Sequence, residues 1–245
     1  MRPLAPSSNR QINALAWIGD VVRHRGTLGA LRQYTTAAIA LFRDLTPGRR
    51  KSRYGDIDYD FDHAVDTTWA NVPLRTRIRE LLSGAQYQAS EPELFHRILS
   101  AVPASPEGFT FIDLGSGKGR TLLMASDYPF RQILGAELLS ELNVIAQKNI
   151  GRYHSDQQKC FNIESICSDA REFEFPGDRL IVYLFNPFPD YVLRTVLENL
   201  QKSLNATPRE VYVICHNLVH EDIFRSQPWL REVCRTHQFA IYRAE

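Results

Sequence analysis

The chain has 245 residues, 44% hydrophobic and 23% charged, an ordinary globular composition with room for one domain and a modest extension; disordered, collagen-like and coiled-coil classes are excluded. Its formal net charge is +1, from 29 Lys+Arg against 28 Asp+Glu, which leaves no global basic field for nucleic-acid binding. The balance is uneven: Met1 to Gly55 holds 10 Lys+Arg and 2 Asp+Glu, a net of +8, and the remainder holds 19 and 26, a net of −7, so a basic arm precedes a slightly acidic body.

Cys160, Cys167, Cys215 and Cys234 show no Cys-x-x-Cys spacing, which reads as a reduced, cytoplasmic protein with no structural metal. The apolar stretch around Ile12 to Ile18 is short, is followed at once by Asp20 and lacks a small-residue cleavage site, so no signal peptide is expected. The longest apolar run elsewhere, Ala37 to Phe42, is far below the roughly 18 residues of a membrane span.

From Gln11 to Leu45 apolar residues fall at helical spacing: Ile12, Leu15, Ala16, Gly19 and Val22, then Leu31, Tyr34, Ala38, Leu41, Phe42 and Leu45. The pattern predicts two helices broken near Gly26 to Gly29. A basic amphipathic pair suits an acidic membrane or RNA, or, more commonly, a helical cap docked on the main domain. Thr46-Pro47-Gly48 ends the helix, and Arg49-Arg50-Lys51-Ser52-Arg53 reads as a basic linker. Beyond it Asp56, Asp58, Asp60 and Asp62 alternate with Ile57, Tyr59 and Phe61, so an extended backbone is expected to put the carboxylates on one face. That face is either a lip where Asp58, Tyr59 and Asp60 attract a cationic substrate, or a solvated edge with packed aromatics. A calcium loop is excluded, because the sixth position from Asp56 is Phe61 and the twelfth is Thr67. Helical spacing resumes at Arg75 to Leu82 and at Glu91 to Val102, the latter with Ser90 as N-cap and Pro92 in the first turn.

The second half alternates strands with helices. Strands are predicted at Phe109 to Leu114, Gln132 to Glu137, Phe161 to Cys167, Leu180 to Phe185 and Glu210 to Cys215, with helices at Arg120 to Asp127, Glu141 to Ile150 and Val192 to Leu204. This is the pattern of a parallel α/β sheet, which Cys234 to Arg243 would close as an antiparallel edge.

In Phe111-Ile112-Asp113-Leu114-Gly115-Ser116-Gly117-Lys118-Gly119 a buried-type strand runs into three alternate glycines and then a helix, a turn that lets backbone approach a ligand closely. It is not the dinucleotide fingerprint, whose third Gly would fall at Arg120, nor a phosphate P-loop, since Gly119 follows Lys118. Three partners stand at the following strand ends. Glu137 can accept both hydroxyls of a ribose, and Asp169, in Cys167-Ser168-Asp169-Ala170, can accept from an exocyclic amine. Asn186-Pro187-Phe188-Pro189 ends the fourth strand, where a reacting group would meet the ligand. Taken singly, each is also a plausible loop carboxylate or turn residue.

Together these residues resemble the class I, seven-strand S-adenosylmethionine-dependent methyltransferases, over roughly Tyr87 to Tyr242. The resemblance implies a Rossmann-like, mostly parallel seven-strand sheet with helices on both faces, preceded by an N-terminal helical extension. Residues 1–55 would be the basic extension and linker, and 56–245 the methyltransferase domain, with the cofactor-binding core in 87–217. It implies Gly115, Ser116, Gly117 and Gly119 under the methionine and ribose of S-adenosylmethionine, Glu137 on the ribose, and Asp169 with Ala170 at the adenine. Asp113 would orient the loop or meet the cofactor's amino group. Tyr87-Gln88-Ala89-Ser90-Glu91 is similar to the loop that closes over the cofactor in the lysine methyltransferases of this fold.

Asn186-Pro187-Phe188 resembles the Asn/Asp-Pro-Pro-Tyr/Phe loop of amino-group methyltransferases, with Phe188 in place of the second Pro. That implies a methyl acceptor with an amine nitrogen, a protein lysine or a small molecule. The protein must align the nucleophile behind an activated methyl; taking a proton from an amine of pKa about 10.4 near neutral pH costs about 4 kcal/mol, which desolvation beside a cation lowers. Asn186 would orient the lone pair, with Phe188, Tyr59 or Tyr87 facing the cations. His216-Asn217 either reaches the site or serves as turn residues. Two other readings stay open: an aminopropyltransferase, for which Asn186 stands where an aspartate base is expected, and a non-catalytic cofactor-binding or RNA-associated module working through the basic arm.

Overall fold

The computed structural model describes residues 14–44, 57–68, 72, 76–79, 88–185 and 188–245. Helix α1 spans Ala14–Asp44 and α2 spans Ile57–Asp62. Then come α3 (Pro92–Ser100), β1 (Phe109–Leu114), α4 (Arg120–Ala125), β2 (Gln132–Glu137), α5 (Ser140–Arg152), β3 (Ile163–Cys167) and β4 (Arg179–Phe185). The chain continues through α6 (Asp190–Ala206), β5 (Val211–His216), α7 (Glu221–Arg225), β6 (Leu230–Arg235) and β7 (Phe239–Ala244).

The strands form one seven-stranded sheet in the order β3-β2-β1-β4-β5-β7-β6. Neighbours are parallel except that β7 runs antiparallel to both β5 and β6. The central strands read as continuous apolar runs because both faces are covered. Ile112 and Leu114 of β1, Leu180, Val182 and Leu184 of β4 and Val211 and Val213 of β5 point into one cluster with Leu193, Val196, Leu197 and Leu200 of α6. Their neighbours Phe109, Phe111, Ile181, Tyr183, Tyr212 and Ile214 point into the other, with Leu94, Phe95 and Ile98 of α3 and Leu122 of α4. The four α6 residues follow the i, i+3, i+4, i+7 spacing of one helix face. The Rossmann-like sheet expected from the sequence is therefore present, with order 3-2-1-4-5 and its switch point between β1 and β4.

Four local expectations need correction. Residues 57–62 are helical, not extended, because Asp60 turns inward: its carboxylate accepts from the backbone N–H of Thr67 and Thr68 at 2.7 and 2.8 Å, from the Thr67 hydroxyl, and from Arg120 at 3.1 Å. Carboxylates lined up on one strand face do not form, and Asp56 lies outside the described residues. The inward face of α1 is Trp17, Val21 and Ala30, whereas Ala16 and Gly19 are exposed; the expected break is a kink at Gly26, whose φ is 69°. Ser90 does not cap α3, since Glu91 holds the N-cap position and the Ser90 hydroxyl lies 3.3 Å from the Tyr183 hydroxyl. Finally, the end of the chain forms a β6–β7 hairpin, in which β7 is an interior strand and β6 the edge.

That edge carries charges. Arg231, Glu232 and Arg235 of β6 are exposed, the strand is irregular between Glu232 and Cys234, and Arg225 and Arg235 each pair with both Glu221 and Glu232.

Candidate functional site

The glycine loop leaves β1 through left-handed backbone. Gly115, Gly117 and Gly119 have φ of 88°, 55° and 85°, values that a Cβ disfavours, which is why glycine alternates here. At Gly119 a Cβ would also stand 3.2 Å from that of Ala146, so this glycine lets α5 pack against the loop. The backbone N–H groups of Gly115 and Ser116 both donate to the Ala136 carbonyl, at 2.8 and 3.1 Å, tying the loop to the end of β2.

Glu137 ends β2 and is buried. Its carboxylate accepts from the N–H of Gly117 and of Leu139, each at 2.8 Å. These two donors fix the side chain and leave further lone pairs free. Burial raises the Glu137 pKa, against the pull of those backbone donors. Asp113, one layer below, accepts from the Thr121 hydroxyl and orients the start of α4. Desolvation pushes its carboxyl up to about 7, with the Thr121 bond lowering it and Glu137 raising it. Asp169 caps the short turn Ala170–Glu172 by accepting from the Arg171 N–H at 2.9 Å, and it also binds the Arg171 side chain at 2.7 Å.

A cleft opens where these strand ends meet, with about 620 Å³ of atom-free space, open solvent at its mouth included. Of the residues expected from the sequence, it brings together Gly115, Glu137, Asp169, Ala170 and Phe188. The Phe188 ring lies across the glycine loop, 3.5 Å from where a Cβ on Gly115 would stand. Asp113, Ser116, Gly117 and Gly119 are not among the residues lining the cleft. Tyr87, Asn186 and Pro187 lie outside the described residues.

Asp58, Tyr59 and Asp60 are not among the residues lining the cleft. Asp58 is exposed, and the Tyr59 ring lies under the Arg120 guanidinium at 4.9 Å and beside His63 at 4.6 Å. The segment instead buttresses the loop. Lys118, completely buried, donates to the Asp66 carboxylate at 2.8 Å and the Thr68 carbonyl at 2.7 Å. Asn149 of α5 joins the same two elements, donating to the carbonyls of Asp66 and Lys118 at 2.8 and 2.9 Å and accepting from the Asp66 N–H at 2.9 Å.

His216, at the end of β5, sits beneath the β4 end rather than in the cleft lining. It stacks on Phe185 with ring centroids 4.1 Å apart, and its Nδ1 lies 2.5 Å from the Tyr183 hydroxyl. Desolvation pushes its pKa down to about 4, so the ring is neutral near pH 7.

Sequence reasoning missed the cleft's other wall. Trp17 and Asp20 of α1 line it, together with Leu138, Arg171, Tyr191 and Val192. Residues so distant in the chain leave no spacing signal. Among the described residues no set of three or more His, Cys, Asp or Glu side chains gathers as metal ligands, and no helix is long and apolar enough to cross a membrane.

No family model and no curated protein sequence matches the chain. Among solved structures it is similar to an RNA methyltransferase from Salinibacter ruber in complex with S-adenosyl-L-homocysteine, with 20% identity over 64% of this chain and 92% of that one and a TM-score of 0.43. It is similar to a ribosomal protein L11 methylase from Lactobacillus delbrueckii subsp. bulgaricus, with 14% identity, 63% and 75% coverage and a TM-score of 0.43. A third is a SAM dependent methyltransferase from Aquifex aeolicus, with 15% identity, 64% and 98% coverage and a TM-score of 0.45. The seven-strand order with an antiparallel β7, and a glycine loop at the end of β1, are the Rossmann-like sheet that the sequence resemblance implies.

Proposed function

We propose that the chain is an S-adenosylmethionine-dependent methyltransferase acting on an amine nitrogen of a protein lysine or a small molecule. One observation carries the cofactor assignment: residues from four successive strand ends, Gly115, Glu137, Asp169 with Ala170, and Phe188, converge on a single cleft. The cleft suits an adenosyl cofactor. Glu137 is pre-positioned by two backbone donors with lone pairs to spare for ribose hydroxyls, and the gap between Gly115 and the Phe188 ring is one that a Cβ would fill.

When bound, the cofactor supplies an activated methyl group on a positively charged sulfur. The chain's own residues bind and orient. Glu137 fixes the ribose, Asp169 receives the adenine amine, and the loop backbone at Gly115 passes close to the remainder. Phe188 presents an apolar ring that excludes water beside the loop, where a desolvated amine is more easily deprotonated. The amine assignment draws on Asn186-Pro187-Phe188, with Asn186 accepting from the acceptor's N–H. On this reading residues 56–245 form the catalytic domain, its cofactor-binding part lies within 87–217, and 1–55 are an extension.

Calorimetric titration with S-adenosylmethionine and S-adenosylhomocysteine tests the cofactor. Glu137→Ala removes two hydrogen bonds to a charged acceptor, about 1.5–3 kcal/mol each, and is expected to weaken both ligands by about a hundredfold or more. Absence of binding to the unaltered chain refutes the cofactor assignment. Transfer of labelled methyl to carboxylate or carbon acceptors, with none to amines, refutes the acceptor class.

A further inference from the structure

We propose that α1 is a working part of the nucleoside subsite: Trp17 closes the cleft over the purine, and ligand binding and α1 docking strengthen each other. The proposal rests on the cofactor reading above. Trp17 is 7% exposed and packs with Val72, Leu139 and Leu142, against Leu138. It lines the cleft together with Glu137, Ser168, Asp169 and Ala170. The indole therefore shares the cleft with the end of β2, which offers the ribose carboxylate, and with the turn after β3, which offers the purine acceptor. Leu138 and Trp17 make that end of the cleft apolar, the character a purine ring favours.

Asp20, three residues further along the helix, reaches the same turn. Its carboxylate holds Arg171 at 2.6 Å, while the Nε of Arg171 lies 3.1 Å from Asp169 and its terminal nitrogen 2.7 Å. One guanidinium thus serves both carboxylates, so the position of α1 and the orientation of Asp169 are set by a shared partner.

Besides the partly buried Asp20–Arg171 pair, few contacts among the described residues hold the helix to the domain. Trp17, Val21 and Ala30 are its buried apolar residues among the described side chains. The Arg25–Asp190 pair, at 2.9 Å, is about half exposed, and such pairs are individually weak. His24 stacks on Tyr191 at 4.3 Å between ring centroids. Against these contacts, the Trp17 indole N–H is buried with no hydrogen-bond partner among the described residues, an unfavourable state that a ligand acceptor or movement of the helix relieves. A ligand that adds contacts to Trp17 binds the docked form better, and linkage then requires that it stabilise docking.

The test uses the full chain with S-adenosylhomocysteine as the probe. Trp17→Ala is expected to weaken binding by about tenfold, and Trp17→Phe, which keeps a ring, by less. In the unaltered protein, saturating ligand is expected to slow amide hydrogen exchange across residues 14–25, a readout that does not depend on any variant folding. The proposal is overturned if Trp17→Ala binds within about twofold of the unaltered chain, or if exchange in residues 14–25 ignores the ligand, while Glu137→Ala loses binding. That combination leaves the cofactor reading standing. Failure of the unaltered chain to bind brings down both.

Discussion

Two titratable groups buried near the strand ends act on stability in opposite directions as pH changes. Asp113 has its carboxyl pushed up to about 7 from an ordinary 3.8. Between those values the folded chain keeps a proton that the unfolded chain releases, so stability falls as pH rises through the interval and levels off above about 7. His216 is pushed down to about 4 from 6.5, so there the unfolded chain takes up a proton that the folded chain refuses, and stability rises with pH. A single proton gives a slope of at most about 1.4 kcal/mol per pH unit, so the two contributions offset across most of the shared interval. Each variant exposes the other slope. Asp113→Asn is expected to gain on the unaltered chain by on the order of 3 kcal/mol between about pH 4.5 and pH 7, and His216→Phe to lose on it by a similar amount over the same range. Urea midpoints at a series of pH values measure both differences. A difference between the unaltered chain and Asp113→Asn that does not change with pH would refute the reasoning, because it would mean that the carboxyl titrates as it does in the unfolded chain.

Gly135 on β2 faces the underside of the glycine loop, where a Cβ would come within 2.6 Å of Leu122 Cδ1, 2.7 Å of Ser116 Oγ and 2.9 Å of Ser116 Cβ. Both neighbours are buried, so Gly135→Ala must move the loop at a cost of about 1–3 kcal/mol, a fall in Tm of about 2–12 °C for a chain of this size. Adding Ser116→Gly should restore part of it; an unchanged Tm in the single variant would show that the loop has slack there. Lys118→Met removes two charge-assisted hydrogen bonds to Asp66 and Thr68 and leaves a carbonyl unpaired, for a loss of about 1–3 kcal/mol. Amide exchange should then quicken in residues 57–68 while β1 stays protected, and equal protection in both segments would contradict the buttress. Arg25→Ala, breaking one half-exposed pair, should shift the denaturation midpoint by less than the equivalent of about 1 kcal/mol.

How much of this was legible in the sequence follows the range of the interactions. The glycine loop, Glu137 and Asp169 could be read because strand period and turn chemistry are local: an apolar run, a glycine that needs positive φ, a carboxylate at the next strand end. The alternation at 56–62 was misleading, since Ile57, Tyr59 and Phe61 fit a strand until Asp60 is claimed by Thr67, Thr68 and Arg120. Lys118 read only as a failed P-loop, although its ammonium spans 52 residues to Asp66. Trp17 and Asp20 were invisible for the same reason, with Asp20 and Arg171 151 residues apart. The C-terminal hairpin was half legible: the strand-like residues were evident, but nothing local says that β7 enters between β5 and β6.

The charged lattice on β6 governs how the molecule meets its own copies. An edge strand with open backbone groups invites another chain to continue the sheet, and here continuation would strip water from Arg231, Glu232 and Arg235 beside an irregular stretch of backbone. The penalty comes from desolvating charge as well as from repulsion, so salt weakens it less than it weakens a simple like-charge barrier. The hairpin therefore resists continuation of the sheet by a second chain along its β6 side, a property separate from anything that happens in the cleft at the carboxyl ends of β1 to β4.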